Sequence, residues 1–255
     1  MRALAIAICV GLLVFAAQPA RAHPVAVGGY DFAPYVEIDA AGKPVGLALD
    51  LIDLLNSVQT EWQFKFVLTS SARRFQDFEE GRFDIILFES LDWEWKAKGL
   101  PVDASKELVS DDEVYLAQAM PGRGQDYFNT LADKRLVGII GYHYAYAGFE
   151  SDPARLRQRF DITLVNSNEA IYGLILEGRV DVGVTARSYF TRHLRLHPAD
   201  RTRLLPSQKI DQTYSLRALV RRGVKPGTAD VDRLLDRLAA DGRLGQLWRE
   251  AGLRD

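Results

Sequence analysis

The chain has 255 residues, of which 47% are hydrophobic and 26% are charged, and its formal net charge is -2 at pH 7. This composition is typical of a globular protein and excludes a collagenous, coiled-coil or wholly disordered chain. Basic residues are not in excess and cluster only in pairs such as Arg73-Arg74, which we expect on the solvated surface. Nucleic acid is therefore not an expected partner, and a small, uncharged or modestly charged ligand is.

The first segment, residues 1–22, has the pattern of a secretory signal peptide. Arg2 supplies a positive start, residues 3–17 are almost wholly apolar, and Ala20-Arg21-Ala22 fits the small-x-small cleavage pattern. We expect cleavage before His23 and a soluble protein in a bacterial periplasm. The alternative is a membrane anchor, for which the apolar stretch is short compared with a span of roughly 20 residues.

Strands and helices are predicted to alternate through the first half of the chain. Apolar residues from Leu47 recur at helical spacing, and Phe64, Phe66 and Leu68 alternate as in a strand. The predicted elements are a strand at 25–29, a hairpin or loop at 40–43, a helix at 47–58, a strand at 64–68, a short helix capped by Ser70 or Ser71, and a strand at 83–88.

The second half follows the same α/β pattern. Asp152-Pro153 is a typical helix start, and Thr228 can cap a helix with a buried leucine face. The predicted elements are strands at 136–140, 162–165 and 214–220, and helices at 153–160, after a possible cap at Asn168, at 228–238 and at 244–248. Alternation of this kind favours mostly parallel sheets, which bind ligands at the carboxyl ends of their strands.

One unit occurs twice. Residues 80–86 and residues 177–183 each follow an amphipathic helix, with Gly81 and Gly178 at the helix end and an apolar strand after them. Glycine can take the left-handed conformation that ends a helix. Two copies indicate two lobes of similar build, although coincidence within a single sheet is the alternative.

The order of these motifs resembles the periplasmic solute-binding proteins of ABC importers, of the polar amino-acid type. The segments that carry the resemblance are Phe32-Ala33-Pro34-Tyr35, Gly42-Lys43-Pro44-Val45-Gly46, Asp50-Leu51, Gly81-Arg82-Phe83-Asp84, Lys134-Arg135-Leu136-Val137-Gly138-Ile139, Gly178-Arg179-Val180-Asp181, and Ala240-Asp241-Gly242-Arg243-Leu244 with Trp248.

This resemblance implies the two-lobe type 2 periplasmic binding fold, in which each lobe is a mostly parallel sheet flanked by helices. Lobe 1 would comprise 23–116 plus 217–255, lobe 2 would comprise 117–216, and two crossing segments would form the hinge. The lobes would close around a small-molecule ligand in the cleft between them. It further implies a monomer without a cofactor, and an ABC permease in the inner membrane as partner.

The sequence departs from the family pattern at both places where a zwitterion is usually held. Lys96 stands where the family has an arginine that grips the ligand carboxylate with two parallel hydrogen bonds, and Trp93 stands where it has a threonine. Glu89 lies in the stretch that is normally rich in small hydroxyl residues. In the other lobe, Thr185-Ala186 occupy the place of an aspartate that pairs with the ligand ammonium, and Tyr142-His143 replace small hydroxyl residues.

We therefore expect the ligand to be amino-acid-like without being a standard α-amino acid, with a larger, partly apolar or cationic solute fitting better. Aromatic faces would stack on it, Glu89 and neighbouring polar groups would anchor it, and Lys96 would contact an anion. The candidate ligand-binding residues are Phe32, Phe88, Glu89, Ser90, Lys96, Tyr142, His143 and Thr185. For Trp93 and Trp95 the sequence leaves open whether they line the cleft or pack in the core.

No catalytic residue, metal site or cofactor is expected. The only cysteine, Cys9, lies in the export segment, and His193 and His197 have no acidic residue between them. One alternative remains within the same fold, a periplasmic dehydratase acting on cyclohexadienyl compounds, in which Glu89 or His143 would be the general acid. Another is a ligand-binding accessory or sensor protein without a transport role.

Overall fold

A computed structural model describes residues 22–251 and 253 of the chain. The expected signal peptide lies outside the described residues, apart from Ala22. Within the described part, no helix is both long enough and apolar enough to cross a membrane.

The described residues form ten strands and seven α-helices. The strands are β1 His23–Gly29, β2 Glu37–Ile38, β3 Pro44–Val45, β4 Trp62–Leu68, β5 Ile85–Glu89, β6 Val102–Gln118, β7 Leu136–Ile139, β8 Ile162–Val165, β9 Val182–Ala186 and β10 Leu204–Arg221. The helices are α1 Leu47–Ser57, α2 Arg74–Glu79, α3 Pro153–Arg159, α4 Asn168–Leu176, α5 Arg187–Leu196, α6 Thr228–Ala240 and α7 Arg243–Ala251. β2 and β3 pair as the expected hairpin.

Eight strands share hydrogen bonds in the order β4-β1-β5-β10-β6-β9-β7-β8. Three parallel strands lie at each end, β4, β1 and β5 on one side and β9, β7 and β8 on the other. Between them run β6 and β10, of 17 and 18 residues, which pair antiparallel along most of their length. The fold is thus two mostly parallel α/β halves connected by two long strands, and the expected boundaries at 116/117 and 216/217 both fall within those strands.

Each half has its own hydrophobic core. In the first half, helices α1, α6 and α7 cover the sheet with fully buried side chains such as Leu51, Leu235 and Trp248. In the second half, β7 is buried on both faces, because Val137 packs with Ile171 of α4 and Leu136 packs with Leu156 of α3. A strand covered on both faces is typical of a parallel sheet in an α/β fold.

The repeated unit occupies the equivalent place in the two halves. Gly81 ends α2 with a φ of 73°, and Gly178 follows α4 with a φ of 67°. In each copy the arginine after the glycine donates its backbone N–H to a carbonyl in the last turn of the helix. Arg82 donates to the Asp77 carbonyl at 2.9 Å, and Arg179 donates to the Leu174 carbonyl at 3.0 Å. This is the hydrogen bond that closes a helix at a left-handed residue, and it directs the chain into β5 and β9.

Several local predictions were wrong or incomplete. The helix caps differ, since Ser167 rather than Asn168 accepts the capping hydrogen bond at α4, and Gly227 rather than Thr228 precedes α6. The long strand β6 and the helix α5 were not predicted from sequence.

Candidate functional site

The two halves touch along the edge where the carboxyl ends of their parallel strands meet. Ser71 of the first half donates its hydroxyl to the carbonyl of Ile140 at 2.7 Å, and the Tyr142 hydroxyl donates to the carbonyl of Asp31 at 3.0 Å. Farther along, Arg192 of α5 donates to Glu37 at 2.6 Å. The cleft between the halves is therefore closed by direct contacts.

Aromatic side chains fill the inner part of the cleft. The ring centroid of Phe32 lies 5.6 Å from that of Trp93 and 5.6 Å from that of Tyr142, both in edge-to-face geometry, and Trp93 lies 5.2 Å from Tyr214. Such edge-to-face pairs are favourable beyond the area that they bury. The inner cavity that remains measures about 10 Å³, which is the room that one water molecule needs.

Three of the candidate ligand-binding residues line this inner cavity. They are Phe32, Tyr142 and His143. Trp93 also lines it, whereas Trp95 is 0% exposed and packs its ring edge-on against Phe75 and Phe78. The question that the sequence left open thus has a different answer for each tryptophan.

The other candidates lie apart from the inner cavity. Phe88, with a φ of 56°, stacks on Tyr35 at 4.6 Å in the core of the first half. Ser90 is buried and accepts a hydrogen bond from the backbone of Asp92. Lys96 is exposed and pairs with Asp92 at 2.8 Å.

Thr185, in β9 of the second half, is buried and lies 3.2 Å from the hydroxyl of Tyr172. Among all the candidates, the aromatic residues Phe32 and Tyr142 together with His143 are the ones that the fold brings to one place.

Glu89 is fully buried at the centre of a polar network. It accepts hydrogen bonds from the Tyr30 hydroxyl at 2.5 Å and from the indole N–H of Trp95, and its Oε1 lies 3.3 Å from Nε of Arg74. Burial raises the pKa of the Glu89 carboxyl, and the Arg74 charge opposes that rise. All the partners of Glu89 in this network belong to the first half, so the carboxylate is sealed from the cleft.

Arg74 lies at the candidate site and was missed by sequence reasoning. The expectation that Arg73-Arg74 is a solvated pair is wrong for Arg74, which is 1% exposed. The signal lay in the helix period, because Arg74 precedes Phe78 by four residues and therefore shares the buried face of α2. Its guanidinium meets Glu89 within the half and lies 3.4 Å from Nδ1 of His143 across the cleft.

His143 is buried where the halves meet and lies among charged groups. Its Nε2 is 3.2 Å from the Glu94 carboxylate, although the alignment is too poor for a hydrogen bond, and its carbonyl accepts from Gln212. Burial and the nearby Arg74 charge lower the pKa of His143 to about 4. The ring is therefore neutral at neutral pH, so one of its nitrogens can donate a hydrogen bond and the other can accept one.

Glu113 of β6 is a second buried carboxyl at the inner cavity. Burial raises its pKa to about 8, opposed in part by a hydrogen bond from the Gln212 amide at 2.7 Å. The side chain is protonated at neutral pH. Because the Glu113 carboxyl is neutral, the cleft does not contain an unpaired buried charge at this position, which would be costly.

An outer cavity of about 350 Å³ opens beside this cluster. Its wall in the first half consists of Ser71, Ala72, Arg74, Phe75, Glu94 and Lys98. Its wall in the second half consists of Ile140, Gly141, Glu150, Ser151, Asp152, Pro153 and Arg155. The volume is within the usual range of about 300–1,000 Å³ for small-molecule sites. No group of three or more potential metal ligands occurs among the described residues.

A family model for the bacterial extracellular solute-binding proteins, family 3, matches residues 25–250. The chain belongs to this family. No curated protein matches the chain in sequence.

Solved structures share the fold. A substrate-binding protein of an ABC uptake transporter from Streptococcus pneumoniae, with bound histidine, matches with a TM-score of 0.71 and 15% identity over 89% of this chain and 91% of that one. A histidine kinase sensor domain similar to periplasmic binding proteins gives 0.69 and 20% identity over 90% and 96%. An ancestral amino-acid-binding protein, a precursor of cyclohexadienyl dehydratase, gives 0.68 and 17% identity over 91% and 96%. These likenesses confirm the predicted fold class.

Proposed function

We propose that this protein captures a small organic solute between two lobes, 23–116 plus 217–255 and 117–216, and hands it to an ABC permease. The observation that carries the proposal is the outer cavity of about 350 Å³, whose walls come from both halves of the molecule. A solute in that cavity contacts both walls only when the halves are together. Binding therefore stabilises the closed arrangement, which is the signal that a partner can recognise.

The proposed solute is amino-acid-like and is not a standard α-amino acid. The family's arginine position carries Lys96, which is exposed and engaged with Asp92. The family's aspartate position is occupied by Thr185-Ala186, both of which are buried at the end of β9. A zwitterion placed in the family's manner would lack both of its charged partners, and desolvating an unpaired charge is costly.

A solute library tests this function. Purified protein is screened by thermal shift, and each hit is measured by calorimetry and small-angle scattering. A true ligand present at 100 times its Kd adds about 2.7 kcal/mol of stability and favours the compact form. Strong responses to standard α-amino acids alone would contradict the proposed ligand class, and no response to any solute would contradict the function.

The proposed work is binding without chemistry. Of the two residues considered as general acid, Glu89 is held by Tyr30, Trp95 and Arg74 inside the first half. The other, His143, faces a cavity of about 10 Å³, which has no room for a cyclic substrate. Incubation with prephenate or arogenate should give no turnover, and product formation would overturn this part of the proposal.

We propose that the protein acts in the periplasm as a monomer, after cleavage before His23. Intact-mass measurement of the exported protein checks the cleavage site, and light scattering checks the monomer. Uptake of the identified solute into cells with and without the gene distinguishes a transport role from an accessory or sensor role, since only the transport role requires uptake to fall.

A further inference from the structure

We infer that the ligand is a small carboxylate-bearing solute held in the outer cavity, with its anionic group directed at Lys98 and Arg74, and that the inner aromatic cluster is packing rather than a ligand site. This inference rests on the proposed function and assigns the place and the charge of the ligand.

The inner part of the cleft is occupied by the protein itself. The ring centroid of Phe32 lies 5.6 Å from that of Trp93 and 5.6 Å from that of Tyr142, and a cavity of about 10 Å³ remains. Tyr142 is further held in place by its hydroxyl, which donates a hydrogen bond to the backbone carbonyl of Asp31. A solute could enter only by displacing these rings, whereas the outer cavity already has the volume of a small-molecule site.

The three carboxylates of the outer cavity are already engaged, and that of Asp152 accepts the backbone N–H of Arg155 at 2.9 Å. Glu150 accepts hydrogen bonds from the backbone N–H groups of Ser151 and Asp152, and also from the guanidinium of Arg155 at 3.2 Å. These partners lower the pKa of the Glu150 carboxyl, with the backbone bond from Asp152 the largest cause. Glu94 accepts from the Ser151 hydroxyl at 3.2 Å and also faces His143. A cationic ligand group would have to compete with these bonds.

The two cations on the first-half wall have donors to spare. Lys98 is exposed, lies 5.0 Å from the centroid of the Phe75 ring, and has no ion-pair partner among the residues described. Arg74 has five N–H donors; it gives one to the Ser71 carbonyl and shares one with His143, and its Nε lies 3.3 Å from Glu89, its ion-pair partner, so each terminal nitrogen keeps one N–H. The cation that lacks an ion pair at the cavity is therefore Lys98, and it can take an anion.

The residues between these cations define the rest of the ligand. Phe75 is half-buried and lines the cavity, with the Arg74 guanidinium 4.3 Å from its ring centroid. Across from it lie Ile140 and Pro153. An apolar body between these surfaces, with a carboxylate at the Lys98 end, satisfies both the shape and the charge of the cavity.

Two matched series of probes test the charge. Butyrate, 4-aminobutyrate and butylamine carry an anion, a zwitterion and a cation on similar short chains. The compounds 3-phenylpropionate, 3-amino-3-phenylpropionate and phenethylamine do the same with an aromatic body. Calorimetry should show binding by the carboxylate-bearing members and none by the two amines. Tighter binding by the amines would overturn the inference.

Two variants test the place. Lys98→Met should weaken binding of the best probe at least about tenfold, as expected for a hydrogen bond to a charged group. Lys96→Met changes another exposed lysine, which lines neither cavity, and should leave Kd unchanged. Ala72→Phe, at an exposed position on the cavity wall, should block binding. Equal affinities of all three variants would overturn the assigned place.

The failure of this inference is distinct from failure of the proposed function. If none of the six probes binds while the wider library yields an uncharged or cationic solute, the inference falls and the function stands. If the library yields nothing, the function falls as well.

Discussion

At the scale of single residues, the cleft depends on charges that the protein neutralises internally. Glu89 and Arg74 are 0% and 1% exposed, and each would be costly to bury alone. Together with Tyr30 and Trp95 they form a network in which both carboxylate oxygens have partners. Because Arg74 also reaches His143 of the other half, this pair sets the electrostatics of the cleft.

Removing one member of this pair should be far more damaging than removing its neighbour. Arg74→Met leaves Glu89 buried without its cation, and we expect a loss of about 3–5 kcal/mol in the free energy of unfolding. Arg73→Met changes a side chain that is 61% exposed, and should cost about 0.5 kcal/mol or less. Urea unfolding of both variants measures the difference.

The double variant Arg74→Met/Glu89→Leu should recover part of the loss, since it buries no unpaired charge. Equal costs for Arg73→Met and Arg74→Met would show that the buried pair does not stabilise the fold.

His143 should make stability depend on pH. Its pKa of about 4 in the folded protein lies below the usual value of 6.5, so between these pH values the unfolded chain binds a proton that the folded chain does not. Stability from the neutral ring is thus present above pH 6.5 and is lost as the pH falls towards 4, by about 3 kcal/mol at most. The titration of Glu113, with its pKa of about 8, acts in the opposite direction.

A difference measurement isolates the histidine. The unfolding free energies of the native protein and His143→Gln are compared from pH 7.5 to 4.5, so that Glu113 contributes to both. The advantage of the native protein should shrink as the pH falls. A constant difference would mean that the His143 pKa is not lowered by folding.

At the scale of secondary structure, elements with a clear period could be predicted and elements defined by their partners could not. The apolar spacing from Leu47 correctly predicts α1, and the alternation at 64–68 correctly predicts β4. β6 contains Asp103, Lys106, Glu107 and three consecutive acids at 111–113, so it lacks an apolar period. It is a strand because it pairs along its length with β10, which is information that no local window contains.

The candidate site shows the same division. Phe32, Tyr142 and His143 could be placed because the motifs around them fix their position at strand ends. For Arg74 the helix period indicates the buried face of α2, but the partner that makes its burial possible could not be found, because Glu89 comes beside it only in the folded protein.

Alanine substitution should have opposite effects at a glycine that ends a helix and at a glycine inside a helix. Gly81 has a φ of 73°, and a Cβ added there meets no atom within 4 Å. Gly81→Ala should therefore cost about 1–2 kcal/mol of folding free energy, for conformational reasons alone. Gly173 lies inside α4, where a Cβ also meets nothing, and Gly173→Ala should stabilise by up to about 1 kcal/mol.

Thermal unfolding of the two variants measures both signs. Destabilisation by Gly173→Ala would contradict its assignment as an ordinary helix-interior position, and no loss from Gly81→Ala would contradict the role of Gly81 in ending α2.

At the scale of the whole molecule, two long strands connect two halves that meet at separate places. At the outer cavity, Ser71 and Glu94 of the first half bond to the second. Elsewhere along the cleft, Glu37 pairs with Arg192. Contacts that exist only between the halves are lost on opening, so each of them shifts the balance between open and closed forms even when it touches no ligand.

The Glu37–Arg192 ion pair gives the most direct test of that balance. Its nitrogen and oxygen are 2.6 Å apart and its side chains are 24% and 34% exposed, so the pair is worth about 0.2–1 kcal/mol. Arg192→Met should therefore lower the ratio of closed to open forms up to about fivefold, and the apparent Kd for the solute should rise by up to the same factor, because affinity scales with the competent population.

Arg203→Met is the matched control, since it removes an ion pair with Asp200 inside the second half. Small-angle scattering without ligand should show a larger radius of gyration for Arg192→Met than for Arg203→Met. Equal radii and equal affinities for the two variants would mean that this contact does not hold the halves together.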